Sequence, residues 1–278
     1  MIYFSDAEID AFIAEDVPYF DLTAELLEIS GRAAISFEAR DSGVVCGVEE
    51  AAKICEKLGL STAIKSPSGS KIQNKEILLE ATGDAKAILK AWKPSQNILE
   101  YASAVSTQTA KIVETIKAVS PHTHFATTRK TIPGTKKLAL KAVLCGGGYA
   151  HRLGLSESVL IFAQYAAIAN ISLEECIQIA KAKTREHKIA VEVKNAEDAI
   201  SAAKAGADIV QCDKLEIEEL REAIAAVKSI DNRITVIATG GINLQNIASY
   251  AATKPDIIVS SSVYYSKPFD IKVAIRPA

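Results

Sequence analysis

The sequence predicts an α/β chain in which a parallel α/β barrel follows a smaller α+β domain. Two observations carry that expectation. Beyond about residue 123, short apolar runs alternate with amphipathic ones, the pattern of strands covered on both faces by helices. Before it, period-two runs flank a single helical one, which fits a half-covered sheet. Six or more strands of the first kind favour closure into a barrel, complete or incomplete.

Bulk properties agree with a globular enzyme-sized chain. At 278 residues and 49% hydrophobic, the sequence holds enough apolar material for one large and one small domain. A formal charge of −2 with 24% charged residues gives no basic field, which excludes nucleic acid or an anionic membrane as the expected partner. The five cysteines are odd in number, widely spaced and without metal-ligand spacing, so free thiols in a reducing cytoplasm are expected. Neither a signal peptide nor a membrane span is expected from the opening MIYFSDAEIDAF.

In chain order, Ser5 and Glu8 form a capping box for a first helix whose apolar face carries Ile9, Phe12 and Ile13. Residues 32–40 alternate as a strand, with 43–48 expected as its hairpin partner. A helix over 49–58 closes at Gly59, and 75–82 alternates as another strand. From Ser95 the spacing of Ile98, Ala102, Val105, Thr109, Ile112 and Ile116 predicts a long helix that stops at Pro121. Strands are then expected near 123–127, 158–162, 189–193, 208–212, 234–238 and 256–260, with a clear helix over 196–205 ended by Gly206. Domain boundaries follow at 1–105 and 106–267, with a last strand within 268–278 free to return to the first sheet.

Functional groups in such barrels gather where strands end. Arg129 and Lys130 follow the first barrel strand and precede the Pro133-Gly134 turn, and Gly146-Gly147-Gly148 leads to His151-Arg152. Planar guanidinium groups bind carboxylates and phosphates bidentately, so an anion pocket is expected here. Further strands deliver Glu192, then Asp213, then Thr239-Gly240-Gly241, whose backbone N–H groups could face a phosphate ahead of a helix. Each has a plainer reading: a buried ion pair for Glu192, a helix cap for Asp213, an ordinary turn for the glycines.

The run TTRKTIPGTKKLALKAVLCGGGYAHRLGLSESVLI at 127–161 resembles the central signature of the quinolinate phosphoribosyltransferase family, also called nicotinate-nucleotide pyrophosphorylase (carboxylating). EDVPYFDLT at 15–23 resembles that family's early EDxxxGDxT motif, with Phe20 in place of a Gly. The resemblance implies a TIM-like barrel of six to seven strands with an N-terminal α+β open-faced sandwich. It also implies phosphoribosyl transfer from phosphoribosyl pyrophosphate to the ring nitrogen of quinolinate. By the same likeness Arg129, His151 and Arg152 would hold the pyridine carboxylates, and Lys130 would lie between them and the pyrophosphate. Glu192 and Asp213 would face the ribose and Mg²⁺ and, with Lys130, form the catalytic set. Thr239, Gly240 and Gly241, together with Ser261, would take the rest of the substrate. Lys93 falls where the family has an Arg supplied by the neighbouring subunit, which implies a homodimer with shared sites.

Where the family continues Lys-Asp-Asn-His, this chain reads Phe162-Ala163-Gln164-Tyr165. Ile237 replaces an acidic residue, Ser261 a Gly and Tyr265 a His, all expected at the substrate end. In these features the chain most resembles the ModD branch, which is associated with molybdenum transport and utilisation. Altered acceptor specificity is expected. The alternatives are a ligand-binding barrel in molybdenum handling, supported by the lost Lys and His, and an aldolase-like Schiff-base barrel, which would need Lys130 or Lys214 buried.

Overall fold

The computed structural model describes residues 2–278. They divide into two compact units, one formed by the chain up to Ala110 with Ile132–Gly147 and Val263–Ala278, the other by Lys111–Thr131 and Gly148–Ser262. The division is more interleaved than boundaries at 105 and 267 allow, because 132–147 goes with the first unit.

The first unit opens with α1 (Asp6–Asp16), where Ser5 N donates to Glu8 Oε2 at 2.8 Å to complete the capping box. α2 (Leu22–Leu26), β1 (Arg32–Ala39), β2 (Gly43–Val44) and α3 (Val48–Lys57) follow, then β3 (Ser61–Ile64), β4 (Lys71–Ile72) and β5 (Ile77–Asp84). Ala33, Ile35, Phe37 and Ala39 point inward from β1 as the period of two requires. The expected hairpin between β1 and Gly43 does not form: β2 pairs with β4. Both edges of β1 are already taken, one by β5 and the other by the last strand of the chain.

α4 (Ala85–Val119) is 35 residues long and starts ten residues before the Ser95 expected from its stripe. Asp84 Oδ1 accepts from Ala87 N at 3.0 Å and caps it directly off β5, and Ile88 and Ala91 are buried before Pro94. Pro94 is thus inside the helix, where burial on either side outweighs its missing donor.

The chain then builds β6 (His124–Thr127), α5 (Lys136–Cys145), β7 (Tyr149–Ala150), β8 (Val159–Ile161), α6 (Ala163–Ala169), α7 (Leu173–Lys183), β9 (Ile189–Val193), α8 (Ala196–Lys204), β10 (Ile209–Asp213), α9 (Ile217–Ile230), β11 (Thr235–Thr239), α10 (Ile247–Ala251) and β12 (Ile257–Ser260). β13 (Ile271–Pro277) pairs antiparallel with β1 in the four-stranded sheet β13-β1-β5-β3. The second unit carries a seven-stranded sheet in the order β7-β6-β12-β11-β10-β9-β8, parallel at every pairing. This is a TIM-like, incomplete barrel. Its inner packing centres on Ala126, Ile237 and Val259, with Tyr149, Ile209 and Ile257 against them.

Candidate active site

Because every pairing in the large sheet is parallel, the C-terminal ends of its strands share one rim. A cavity of about 840 Å³ opens there. Arg129, Lys130, His151, Arg152, Glu192, Asp213, Thr239, Gly240, Gly241 and Ser261 all line it. Lys93 does not: it lies on α4 in the first unit, exposed, with its ammonium 4.5 Å from the centroid of the Trp92 ring and donating to Gln96 Oε1 at 3.2 Å.

The cations come from the β6 and β7 ends. None of Arg129, Lys130 and Arg152 has an ion-pair partner among the described residues. Arg152 is only 8% exposed, and its Nε donates to Ser158 Oγ at 2.9 Å. Burial and then the nearby Arg129 charge push its pKa down from the ordinary guanidinium value, so an incoming anion relieves a strained arrangement. The loop beyond it is locked by Glu157, whose Oε1 accepts from Leu153 N at 2.7 Å and Gly154 N at 3.0 Å. His151 N is tied to Thr127 O at 3.0 Å, which carries the imidazole into the cavity. Its pKa is lowered by burial; the adjacent Gln211 amide works the other way without reaching hydrogen-bond geometry, and Arg152 lowers it further.

The acids come from β9 and β10. Glu192 is held by Gln211 Nε2 at 2.7 Å and has no ion-pair partner among the described residues, which removes the plainer reading of a buried ion pair. Burial, then the Asp213 charge, raises its pKa above the ordinary carboxylate value. Asp213 ends β10 and does not cap α9, whose N-cap is Glu216. No group of three metal-ligating side chains is present among the described residues. Two neighbouring carboxylates nevertheless suit Mg²⁺, which keeps several waters and completes its shell with substrate phosphates.

Gly240 and Gly241 both have positive φ, 91° and 71°. A Cβ on Gly240 would come within 2.5 Å of Asp213 Oδ1 and closer still to Lys214, so only glycine lets β11 leave beside β10 here. They do not lead directly into a helix as expected, since α10 begins at Ile247 and has five residues. Any phosphate contact in this turn therefore falls to local backbone N–H groups. The Thr239 hydroxyl is already engaged, donating to Val259 O at 3.1 Å.

Two expected substrate-end substitutions lie elsewhere. Ile237 is fully buried in the barrel's packing and does not line the cavity. Tyr265 is 67% exposed and belongs to the first unit. Phe162 and Tyr165 do line the cavity, their rings 6.2 Å apart and inclined by 21°, and they give it an apolar wall. Gln211 was not singled out from the sequence. A lone polar residue within the apolar strand 209–212 was the available signal for Gln211.

Comparison with known proteins agrees with this geometry. The description "Quinolinate phosphoribosyl transferase, C-terminal domain" matches residues 105–274, and "Quinolinate phosphoribosyl transferase, N-terminal domain" matches 21–103. A protein of Pasteurella multocida named "Putative pyrophosphorylase ModD" is 35% identical over 279 residues, covering 99% of each chain. The "Probable nicotinate-nucleotide pyrophosphorylase (carboxylating)" of Methanothermobacter thermautotrophicus is 31% identical over 95% of this chain and 96% of its own. Among solved structures, nicotinate-nucleotide pyrophosphorylase from Francisella tularensis superposes with a TM-score of 0.91 at 25% identity, over 99% of this chain and 98% of that one. With both family domains matched in order along the chain, the protein belongs to the quinolinate phosphoribosyltransferase family.

Proposed function

We propose that the chain is a phosphoribosyltransferase that moves phosphoribosyl from phosphoribosyl pyrophosphate to the ring nitrogen of a pyridine carboxylate or related heterocycle, in a role linked to molybdenum utilisation. One observation carries it. Cations without acidic partners at the β6 and β7 ends share a cavity with the Glu192 and Asp213 carboxylates at β9 and β10. In the transfer, the ring-nitrogen lone pair bonds to C1′ while the C1′–O bond breaks and its electron pair leaves on pyrophosphate. The sugar becomes cationic in passing, and Glu192 and Asp213 supply fixed negative charge beside it. Arg129 and Arg152 hold the acceptor carboxylate with His151 alongside. Lys130 meets the pyrophosphate, and the Thr239-Gly240-Gly241 and Ser261 backbone takes the 5′-phosphate. Mg²⁺ held by Glu192 and Asp213 would neutralise the leaving group. Most of the rate enhancement then comes from positioning. Lys93 is the cation a second copy would contribute in a homodimer.

Phe162 and Tyr165 favour a second reading, a barrel that binds its ligand in molybdenum handling without turnover. A thermal-shift series separates the two. Phosphoribosyl pyrophosphate with Mg²⁺ should stabilise the protein by about 2.7 kcal/mol at a hundredfold excess over Kd, and a pyridine carboxylate panel should then yield a nucleotide detectable by mass. Binding without nucleotide supports the second reading, and no stabilisation overturns the first.

A further inference from the structure

Gln211 is a cavity residue to which the reaction above gives no task. It lies in β10 in register with Glu192, is 5% exposed, and donates from Nε2 to Glu192 Oε2 at 2.7 Å. A carboxylate accepts, so the amide nitrogen must face Glu192 and the amide oxygen must turn away from it. That oxygen is buried and receives no donor. His151 Nε2, on the same cavity, is likewise buried without a partner, and these are the two such side-chain atoms among the described residues. A buried acceptor left unmatched costs about 1–3 kcal/mol. Finding both orphans in one cavity points to a group that arrives with the ligand.

We propose that Gln211 and His151 are a specificity-determining pair that reads a hydroxyl or amino group on the acceptor, so that the preferred ring carries one carboxylate and one hydrogen-bond donor. The inference rests on the phosphoribosyl-acceptor reading and narrows its acceptor class. A donor parting the two side chains satisfies Gln211 Oε1; a hydroxyl can meet His151 Nε2 in either tautomer, and an amino group can donate to it when Nε2 carries no proton. A second carboxylate in that place has no proton for Gln211 and adds negative charge beside the Glu192 carboxylate that Gln211 already serves. Arg129 and Arg152 remain for the single carboxylate. The Phe162 and Tyr165 rings offer apolar contact to the heterocycle and no further charge.

The test is equilibrium binding of nicotinate, quinolinate, and the 2- and 6-hydroxy and 2- and 6-amino derivatives of nicotinate to the full chain. Phosphoribosyl pyrophosphate with Mg²⁺ is measured as a separate arm. At least one donor-bearing ring should bind the wild type about tenfold more tightly than nicotinate and quinolinate, the scale of one well-made hydrogen bond. Gln211→Leu should reduce that ratio to within about threefold, each ratio being internal to one protein. If the variant does not fold, the wild-type ranking decides alone. A wild type that ranks nicotinate or quinolinate equal or first overturns the inference, as it would if His151 simply turned onto Gln211 or a water bridged them. So does a preference that persists in Gln211→Leu, or no binding of any ring by a protein that binds phosphoribosyl pyrophosphate. Failure to bind phosphoribosyl pyrophosphate counts against the transferase reading, whatever the ring ranking.

Discussion

Lys141 offers the sharpest test of the energetics. It lies on α5, 3% exposed, and its Nζ donates to Glu49 Oε2 at 2.7 Å and Glu50 Oε2 at 2.6 Å, both on α3. Glu50 is itself buried, and Glu49 also accepts from Ser68 N at 2.9 Å. Lys141→Met keeps most of the side-chain volume and removes the one cation, leaving two carboxylates side by side away from water. Breaking a buried pair in this way costs about 3–5 kcal/mol. At about 2–4 °C per kcal/mol for a chain of this size class, the melting temperature should fall by about 6 °C or more. Adding Glu50→Leu to Lys141→Met removes one stranded charge and should restore at least part of the loss. The pH dependence gives an independent check. Burial opposes the Glu49 charge, but the Lys141 and Ser68 hydrogen bonds outweigh it and bring its pKa from 4.5 down to about 2. A depressed carboxylate contributes stability above its unfolded pKa and loses it as pH falls through the folded one. The gap between wild type and Lys141→Met, followed by urea unfolding, should therefore be full at pH 7 and narrow between about pH 4.5 and 2. A variant within about 1 kcal/mol of wild type at pH 7, or a gap that widens in acid, would refute the reasoning.

Three further outcomes bear on the cavity. Arg152→Ala should weaken binding of an acidic heterocycle by about a hundredfold or more, as expected for losing a charged hydrogen-bonding partner, while the melting temperature stays within a few degrees; unfolding would make Arg152 a structural cation. Asp213→Asn should weaken Mg²⁺-dependent binding of phosphoribosyl pyrophosphate more than metal-free phosphate binding by calorimetry, and equal losses would indicate a general defect. Quinolinate should be turned over weakly or not at all, because Phe162 and Tyr165 face the cavity with no cation of their own. A wild-type kcat/KM for quinolinate above about 10⁴ M⁻¹s⁻¹, the low end for ordinary enzymes, would contradict that.

Local chemistry made much of the architecture readable. The Ser5 and Glu8 box, the apolar strands from 123 to 260 and the polar residues that follow them all announce themselves within a few positions of chain. Non-local choices did not. Whether Gly43 pairs with β1 depends on a strand more than two hundred residues away, and β7, at two residues, is too short to show a period. The start of α4 was hidden because Pro94 looks like a boundary unless burial of Ile88 and Ala91 is known. In the cavity, position after a strand was enough to find Arg129 and Asp213, and the glycine run at 146–148 pointed to Arg152. Ile237 was misplaced because it stands only two residues before Thr239, yet the barrel's inner layer begins there. Gln211 escaped notice since an amide carries no charge, and its importance appears only when its bonds are counted atom by atom.

The large sheet has two outer strands, β7 and β8, and residues 151–158 carry the chain from one to the other. A fully extended chain covers at most about 3.6 Å per residue, so this short bridge limits how far those strands can separate. No ladder joins them, which makes the bridge a seam closed by side chains: Arg152 on Ser158 and Glu157 on two backbone amides. The ring of strands can therefore widen there without losing a single interstrand hydrogen bond. Since His151 and Arg152 sit on that seam, any widening there would shift the wall of the cavity proposed to meet the acceptor. Strands of two and three residues at such an opening are also poor templates for a foreign strand, so the opening carries little risk of edge-to-edge association.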